Sequence, residues 1–444
     1  MKEGDKASIW WADDRNDNPN ATAGRGAARS EEDKVSVMDS SGNGRLSAEV
    51  AVVGGGPAGL TVAVALAGAG VPTALIAAQA GARDNRTTAL FTSSVAALEA
   101  IESWPGCRAQ AAPLKTLRII DDTGRLWRAP EVRFEAAEIG LEAFGWNIEN
   151  RYLVAALEAR AQALPALQRI SAEAAAVDID DSGVTVTLAG GGAVTARLAI
   201  GADGRRSICR SAAGIETQAW TYPQTALTFN LRHSRRHDNI STEFHSPEGP
   251  FTLVPLPGLR SSLVCVVAPD EAARLLALDP AGRDAEMERR SHSILGRIEA
   301  EPGHGAFPLA VENARRFAAK RVALIGEAAH VIPPIGAQGL NLGLRDAATI
   351  AELVVEARRN GADVGGRDVI DSYDRLRRID VATRTAAVDL LNRSLLTDFL
   401  PIQGLRGIGL YMLERIGPLR RALMREGVDP VAARPRLMRG EALA

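Results

Sequence analysis

Apolar and polar positions divide the chain into a polar head, a long uncharged run, alternating middle stretches and a helical, basic end. Residues 1–47 are rich in Asp, Asn, Arg, Ser and Gly and show no apolar period, so they bury too little to offset their ordering entropy and read as a disordered extension. No charge occurs between Glu49 and Arg83. This run reads as a strand (Val50–Val53), a Gly-rich turn, a small-residue helix (Pro57–Ala67) and a second strand (Thr73–Ala77). As a membrane helix it fails, because Gly54, Gly55, Gly56, Gly68, Gly70 and Pro72 would break it.

Downstream, Asp84–Leu90 (DNRTTAL) precedes an amphipathic helix to about Ile101, and Arg118–Arg133 reads as a hairpin around Asp121, Asp122 and Gly124. Trp146–Leu164 reads as a helix capped by Asn147 or Asn150, with Leu153, Leu157 and Leu164 on its apolar face. Ile170–Thr195 alternates as a small antiparallel meander, and a short strand (Arg197–Ile200) leads into Gly201–Ser207. Between Tyr222 and Asn313 strand-like segments recur (Gln224–Leu231, Phe251–Pro255, Ser262–Ala268), followed by one helix, Asp284–Ile298. Arg321–Ile325 is a buried strand, Gly326–Gly339 a Gly/Pro loop and Leu340–Arg359 a helix, with helical, basic sequence from Tyr373.

Gly54, Gly56 and Gly59 have the spacing of a dinucleotide fingerprint, and they stand after a strand and before a helix. The first permits the tight turn, the second lets backbone approach a pyrophosphate, and the third lets helix and strand pack closely. The acid expected at the end of the second strand is missing. Ala77 and Ala78 stand there, with Gln79 the only polar side chain nearby, which predicts weaker ribose anchoring.

The 444 residues and 46% hydrophobic content allow a sizeable core, as two or three domains or one large α/β domain. A formal net charge of −2 makes no electrostatic case for nucleic acid. Cys107, Cys209 and Cys265 are few, odd in number and scattered, which fits a reducing compartment. With no secretory signal visible, the expectation is a soluble, cytoplasmic protein whose natural start is Met38.

Three motifs stand in order: GGGPAG at Gly54–Gly59, GADGRRS at Gly201–Ser207 and IGEAAHVIPPIGAQGLNLGLRDA at Ile325–Ala347. The set resembles the single-component flavoprotein aromatic hydroxylases over roughly Glu49–Asp398. It is most similar to the hydroxylases of ubiquinone biosynthesis, on DNRTTAL, GPFTLVPL (Gly249–Leu256), FPL (Phe307–Leu309) and QGLNLGLRDA. The resemblance implies an α/β fold: a Rossmann-type FAD-binding domain (48–220 and 314–398), an inserted antiparallel-sheet substrate domain (221–313) and C-terminal helices (399–444). It implies FAD, with NAD(P)H as a transient co-substrate, and O2 activated as a flavin C4a-hydroperoxide that hydroxylates the ring of a polyprenyl phenol or quinol. No second glycine fingerprint for a nicotinamide domain is present.

The resemblance also implies site residues. Gly54, Gly56, Pro57, Ala58 and Gly59 would carry the pyrophosphate, and Arg86 and Arg151 the ribityl and phosphate region. From its residues alone, Arg86 reads equally as a surface arginine at a loop junction. Asp203 and Gly204, otherwise an ordinary Asp-Gly turn, would serve both FAD and the nicotinamide. Glu327 stands where the family has an aspartate on the ribityl chain. Pro334, Gly336, Gln338, Gly339, Leu340 and Asn341 would surround the flavin, with helix N–H groups aimed at its pyrimidine edge and side-chain hydrogen bonds from Gln338 and Asn341.

No catalytic acid or base stands out. His330 lies beside the flavin loop but reads as structural, and His233 and His237 sit among arginines without a metal-ligand pattern. No Ser-His-Asp signature or P-loop lysine occurs. Leu405–Met438, with Arg415, Arg420, Arg421, Arg425, Arg434 and Arg436, reads as a helical cap with a basic face, since Gly407, Gly409, Gly417 and Pro418 interrupt it. Its other reading is an interfacial surface for a polyprenylated substrate, a membrane or a biosynthetic complex. The competing functions are hydroxylation of another aromatic substrate, another chemistry of the superfamily, or a non-catalytic flavin-binding scaffold. The Trp146–Glu149 stretch, WNIE, lacks the second tryptophan and the Ile-Pro of the halogenase pattern.

Overall fold

A computed structural model describes residues 45–78, 86–124, 130–334, 336–396, 416–428 and 434–443. The expectation of disorder over 1–47 lies outside these residues except at its end, where the structure corrects it. Arg45–Ser47 is a strand paired in parallel with Ala193–Ala196, and Leu46 packs on the main core. Gln79 and residues 397–415 also lie outside the described set.

A six-stranded sheet runs in the order Ala318–Ala319, Val322–Leu324, Leu198–Gly201, Val50–Val53, Thr73–Ile76, Leu167–Ile170, parallel except at the first pair. Every residue of Val50–Val53, Thr73–Ile76 and Leu198–Gly201 is buried, which is why these strands read as unbroken apolar runs. From Val50–Val53 the chain moves outward through Thr73–Ile76 to Leu167–Ile170, then returns to the opposite side as Leu198–Gly201. The gap between Val50–Val53 and Leu198–Gly201 is therefore a topological switch point, where an open α/β sheet offers its crevice. The helix Pro57–Gly68 is buried from Ala58 to Ala67 and packs on Asn150–Gln162 and Gln338–Arg359.

A second, nine-stranded sheet is antiparallel except where Ile240–His245 meets Thr116–Asp121. It contains the two strands of the expected hairpin, with Arg118 opposite Arg133, so it draws Thr116–Asp121 and Val132–Glu135 from the segment expected in the nucleotide-binding part. The helix Arg367–Leu396 touches both sheets: Tyr373 Oη donates to Leu324 O at 2.7 Å, and Asn313 Nδ2 to Thr385 Oγ1 at 3.2 Å.

Two local expectations are corrected. Trp146–Glu149 belongs to a strand, Gly145–Glu149, and the helix begins at Asn150. The strand is fixed by antiparallel pairing with Thr87–Phe91, and Asn147 is buried in it, donating to Pro255 O at 2.9 Å and Ser262 Oγ at 3.0 Å instead of capping. In place of the one helix Asp284–Ile298 there are two that start earlier, Pro269–Ala277 and Pro280–Arg290, each with its proline at the helix start, and Asp279 caps the second through Gly282 N–H at 3.0 Å. Ile298 begins a short strand. Among the described residues no helix is long and apolar enough to cross a membrane.

Candidate active site

Three motif loops leave the carboxyl ends of three neighbouring parallel strands. Gly54 follows Val50–Val53 with φ of +115°, donates to Ile76 O at 2.9 Å, and would place a Cβ 2.1 Å from Ala202 O. A Cβ on Gly59 would lie 2.0 Å from Gly54 O, so the first and third glycines are locked by the protein. Gly56 differs: it is exposed, and a Cβ there would meet nothing within 4 Å. That open side is the approach a pyrophosphate needs. Pro57 opens the helix, which has no side-chain cap and no acid in its first turn, leaving its N-terminal N–H groups for an anion.

The second loop holds itself together. Asp203 Oδ2 accepts from Ile208 N at 2.7 Å and Cys209 N at 3.2 Å, and Gly204 turns the chain with φ of +74°. Asp203 thus caps the following short helix, and its Oδ1 is a buried acceptor without a hydrogen-bond partner. Burial, with Asp203 adjacent, pushes the Cys209 thiol well above its ordinary value, which leaves it protonated and inert.

The third loop is gripped at both ends by one polar chain. Gly326 N–H donates to Asp346 Oδ2 at 2.9 Å, and Asp346 Oδ1 accepts from Arg377 Nε at 2.6 Å. Arg377 Nη1 donates to Asp380 at 2.6 Å, Arg384 Nε to Asp380 at 3.0 Å, and Arg384 Nη1 to Gln338 Oε1 at 3.2 Å. His330 Nε2 also meets Asp346 Oδ2, at 2.6 Å, and because an ionised carboxylate only accepts, Nε2 carries the proton. Burial opposes the charge on Asp346, but His330, Arg377 and the Gly326 N–H outweigh it and hold its pKa below the ordinary aspartate value. Asp346 and Arg377 stand inside helical stretches and were not singled out by sequence. The only signal was an acid among the inward positions of Leu340–Arg359.

The helix that follows, Gln338–Arg359, has neither a side-chain cap nor an acid in its first turn. Ala337 precedes it in the left-handed region at φ of +55°, after Gly336 at +66°. Gly336 and Gly339 are exposed, and a Cβ on Gly339 would meet nothing within 4 Å. Leu340 packs on the core, while Glu327 and Pro334 are exposed. The Ala58 methyl would touch a Cβ on Gly326 and one on Gly343, at 3.5 Å each, so the fingerprint helix and the start of Gln338–Arg359 meet there.

Other expected residues are placed differently. Asn341 Oδ1 accepts from Phe91 N at 2.9 Å and Ser94 Oγ at 2.7 Å, and its Nδ2 donates to Ala89 O at 2.8 Å and Ala337 O at 2.6 Å. Its side chain is fully used by the protein, which leaves its backbone N–H for a ligand. Arg86 is exposed at the start of Thr87–Phe91, and its carbonyl accepts from Asn150 N–H at 2.8 Å. Arg151 pairs with buried Glu149 at 2.9 Å and lies over the Tyr152 ring, lining a polar cleft with Arg232, Glu299 and Glu301. His233 and His237 are taken by Ser261 and by the Arg235 and Leu256 carbonyls. Among the described residues no group of three acidic, His or Cys side chains is placed to hold a metal ion.

A parallel sheet with a glycine turn at its switch point and two uncapped helix ends beside it defines a dinucleotide-binding fold. The family model described as "FAD binding domain" matches residues 47–388, and the chain belongs to that family. It is 37% identical over 403 residues to "Ubiquinone hydroxylase UbiL" of Rhodospirillum rubrum, covering 88% of this chain and 93% of the relative. It is 30% identical over 386 residues to "3-demethoxyubiquinol 3-hydroxylase" of Escherichia coli, covering 85% and 97%. Among solved structures, p-nitrophenol 4-monooxygenase PnpA from Pseudomonas putida superposes with a TM-score of 0.73 at 20% identity, covering 87% of this chain and all of that one, a likeness of fold. The protein is an FAD-dependent monooxygenase.

Proposed function

We propose that this monooxygenase hydroxylates the aromatic ring of a polyprenyl phenol or quinol in ubiquinone biosynthesis. One oxygen atom of O2 enters the ring and the other leaves as water, with NAD(P)H supplying two electrons. The observation that carries the proposal is the packing of Pro57–Gly68 on Gln338–Arg359, close enough that a Cβ on Gly326 or Gly343 would touch the Ala58 methyl, which sets an uncapped helix end beside the glycine turn. A single extended FAD then fits both. The ubiquinone hydroxylases among the relatives support the substrate class.

FAD supplies hydride acceptance and oxygen activation. In this reading the turn Gly54–Gly59 holds the pyrophosphate, and Arg86, Glu327, Asp203 and Gly204 stand along the ribityl and nucleotide path. The backbone N–H groups of Gln338, Gly339, Leu340 and Asn341 face the pyrimidine edge. A helix N-terminus there stabilises negative charge on the reduced ring by up to about 2 kcal/mol. The nine-stranded sheet forms the substrate wall, and no side chain is required as acid or base, since positioning and exclusion of water do the work.

Exposed Leu376, Ile379 and Leu390 on Arg367–Leu396 support peripheral contact with a membrane or a biosynthetic complex. NAD(P)H oxidation, measured with and without a prenylphenol and coupled to mass analysis of the product, tests the proposal. Stimulated oxidation and a product heavier by one oxygen are expected. Oxidation indifferent to the phenol, with no hydroxylated product, refutes it.

A further inference from the structure

The nine-stranded sheet buries one face under Pro269–Ala277 and Pro280–Arg290, through Phe229, Phe244, Leu253 and Leu263. Its other face carries a row of directly opposed residues: Ile119, Glu243, Thr252, Val264, Thr228 and Gly305. Every member of this row is half-buried. To one side of it Ser262 and Asn230 are buried, tied to Asn147 at 3.0 Å and to Glu149 at 3.4 Å. To the other side Val266 and Ala226 are buried, and beyond them Gln224 accepts from Asn392 Nδ2 at 3.2 Å. The strand of Asn147 and the helix of Asn392 therefore flank the row and leave it open between them. Both lead to the start of Gln338–Arg359, the first through Thr87–Phe91 and Asn341, the second through Arg384 and Gln338. At the usual strand spacing the row runs about 14 Å from Glu243 to Thr228. Glu243 is the one charge in it. Its side chain is 23% exposed, Oε1 accepts from His245 Nε2 at 2.7 Å, and Oε2 accepts from Thr252 Oγ1 at 3.3 Å. Burial opposes the charge on Glu243, but His245 and the Thr252 hydroxyl outweigh it and hold its pKa below the ordinary glutamate value. An ionised carboxylate has about four acceptor positions, so capacity remains at its exposed part.

We propose that Glu243 orients the substrate: a hydroxyl on the ring donates a hydrogen bond to its carboxylate while the ring lies on Val264. The inference rests on the nine-stranded sheet being the substrate wall of the proposed reaction. His245 and Thr252 hold the carboxylate in place before any ligand arrives, so little side-chain entropy is lost on binding. A hydrogen bond to an ionised acceptor is about twice as strong as one between neutral groups. A ring without the hydroxyl would cover a charge that loses water and gains no donor. Glu243 therefore selects a phenol or quinol over the same ring without its hydroxyl. Holding that hydroxyl at one point also fixes which ring carbons face the start of Gln338–Arg359.

The test is binding of 2-prenylphenol and of prenylbenzene to the full-length, FAD-loaded protein without NAD(P)H, followed by titration calorimetry. These probes differ only in the hydroxyl. Wild type should bind the phenol about tenfold more tightly, as expected for a hydrogen bond to a charged group. Glu243→Gln keeps the shape without the charge and should reduce that preference. Glu243→Leu should abolish it, weakening the phenol and tightening prenylbenzene. Val264→Phe crowds the row and should weaken both probes alike. If the Glu243 variants do not fold, the wild-type preference and Val264→Phe still decide. Equal affinity of wild type for the two probes, or a folded Glu243→Leu variant that keeps the wild-type preference, overturns the role of Glu243. A Val264→Phe variant that binds both probes as wild type does overturns the placement of the ring on this row. Failure of both probes to bind wild type overturns the sheet as the substrate wall. Binding with the expected preference but no hydroxylated product, once NAD(P)H and O2 are supplied, supports the role of Glu243 and contradicts the proposed reaction alone.

Discussion

Asn341 Oδ1 accepts the Phe91 backbone N–H at 2.9 Å, joining the first turn of Gln338–Arg359 to the end of the strand that Arg86 precedes. The resemblance to flavin hydroxylases implies a side chain aimed at the isoalloxazine, but the structure uses all of it as a brace. A residue carried by a cofactor motif can thus act as a brace, fixing the helix whose backbone N–H groups are proposed to face the flavin.

Replacing that brace should be costly in two measurable ways. Asn341→Ala leaves the half-buried Ala89 carbonyl and Phe91 N–H without their side-chain partner, and should lower unfolding stability by about 1–2 kcal/mol. Denaturant unfolding of the apoprotein and FAD titration should both register the change. A variant of wild-type stability would show that water replaces the side chain at no cost.

Asp346→Asn tests the polar chain that holds both ends of the third motif loop. Removing the charge beside buried Arg377 should destabilise the protein by about 3–5 kcal/mol. The pH dependence has a definite sign. Because the folded-state pKa of Asp346 is lowered, its contribution is present above the ordinary aspartate value of about 3.9 and is lost as pH falls through the folded-state value. The stability gap between wild type and variant, followed by thermal unfolding, should therefore be constant at neutral pH and narrow in acid.

The glycines of the fingerprint should separate folding from binding. Gly59→Ala forces a methyl against the Gly54 carbonyl and should reduce apoprotein stability on the order of 3 kcal/mol. Gly56→Ala meets no protein atom, so the apoprotein should melt normally while FAD affinity falls. Equal loss of stability in both variants would contradict the division of roles.

The thiols give a simple check of the core. Burial raises Cys107 to about 11 and Cys265 to about 12, and Cys209 is raised as well, so no native thiolate is available near neutrality. Iodoacetamide at pH 8 should label none of the three in the native protein and all three in denaturant, counted by mass spectrometry.

The strands Val50–Val53, Thr73–Ile76, Leu198–Gly201 and Val322–Leu324 were legible because every residue in them is buried, which leaves unbroken apolar runs. The three motif loops were legible because glycine turns and strand-to-helix junctions are local events. Trp146–Glu149 was not, since its strand state is imposed by Thr87–Phe91 and by Pro255 and Ser262, all remote in sequence. Arg169 was equally hidden, because only the adjacency of Leu167–Ile170 and Thr73–Ile76 brings its guanidinium to the Ala77 carbonyl. Charges that act through a neighbour cannot be seen before the neighbour is known.

A side chain on Gly326 or Gly343 would meet the Ala58 methyl, so two elements far apart in the chain pack with only the space that glycine leaves between them. That packing sets the spacing between the glycine turn and the third motif loop independently of the sequence running between them. The intervening strands can lengthen, shorten or change their lining, and so accept a different ring or tail, without altering the span that a bound FAD has to bridge.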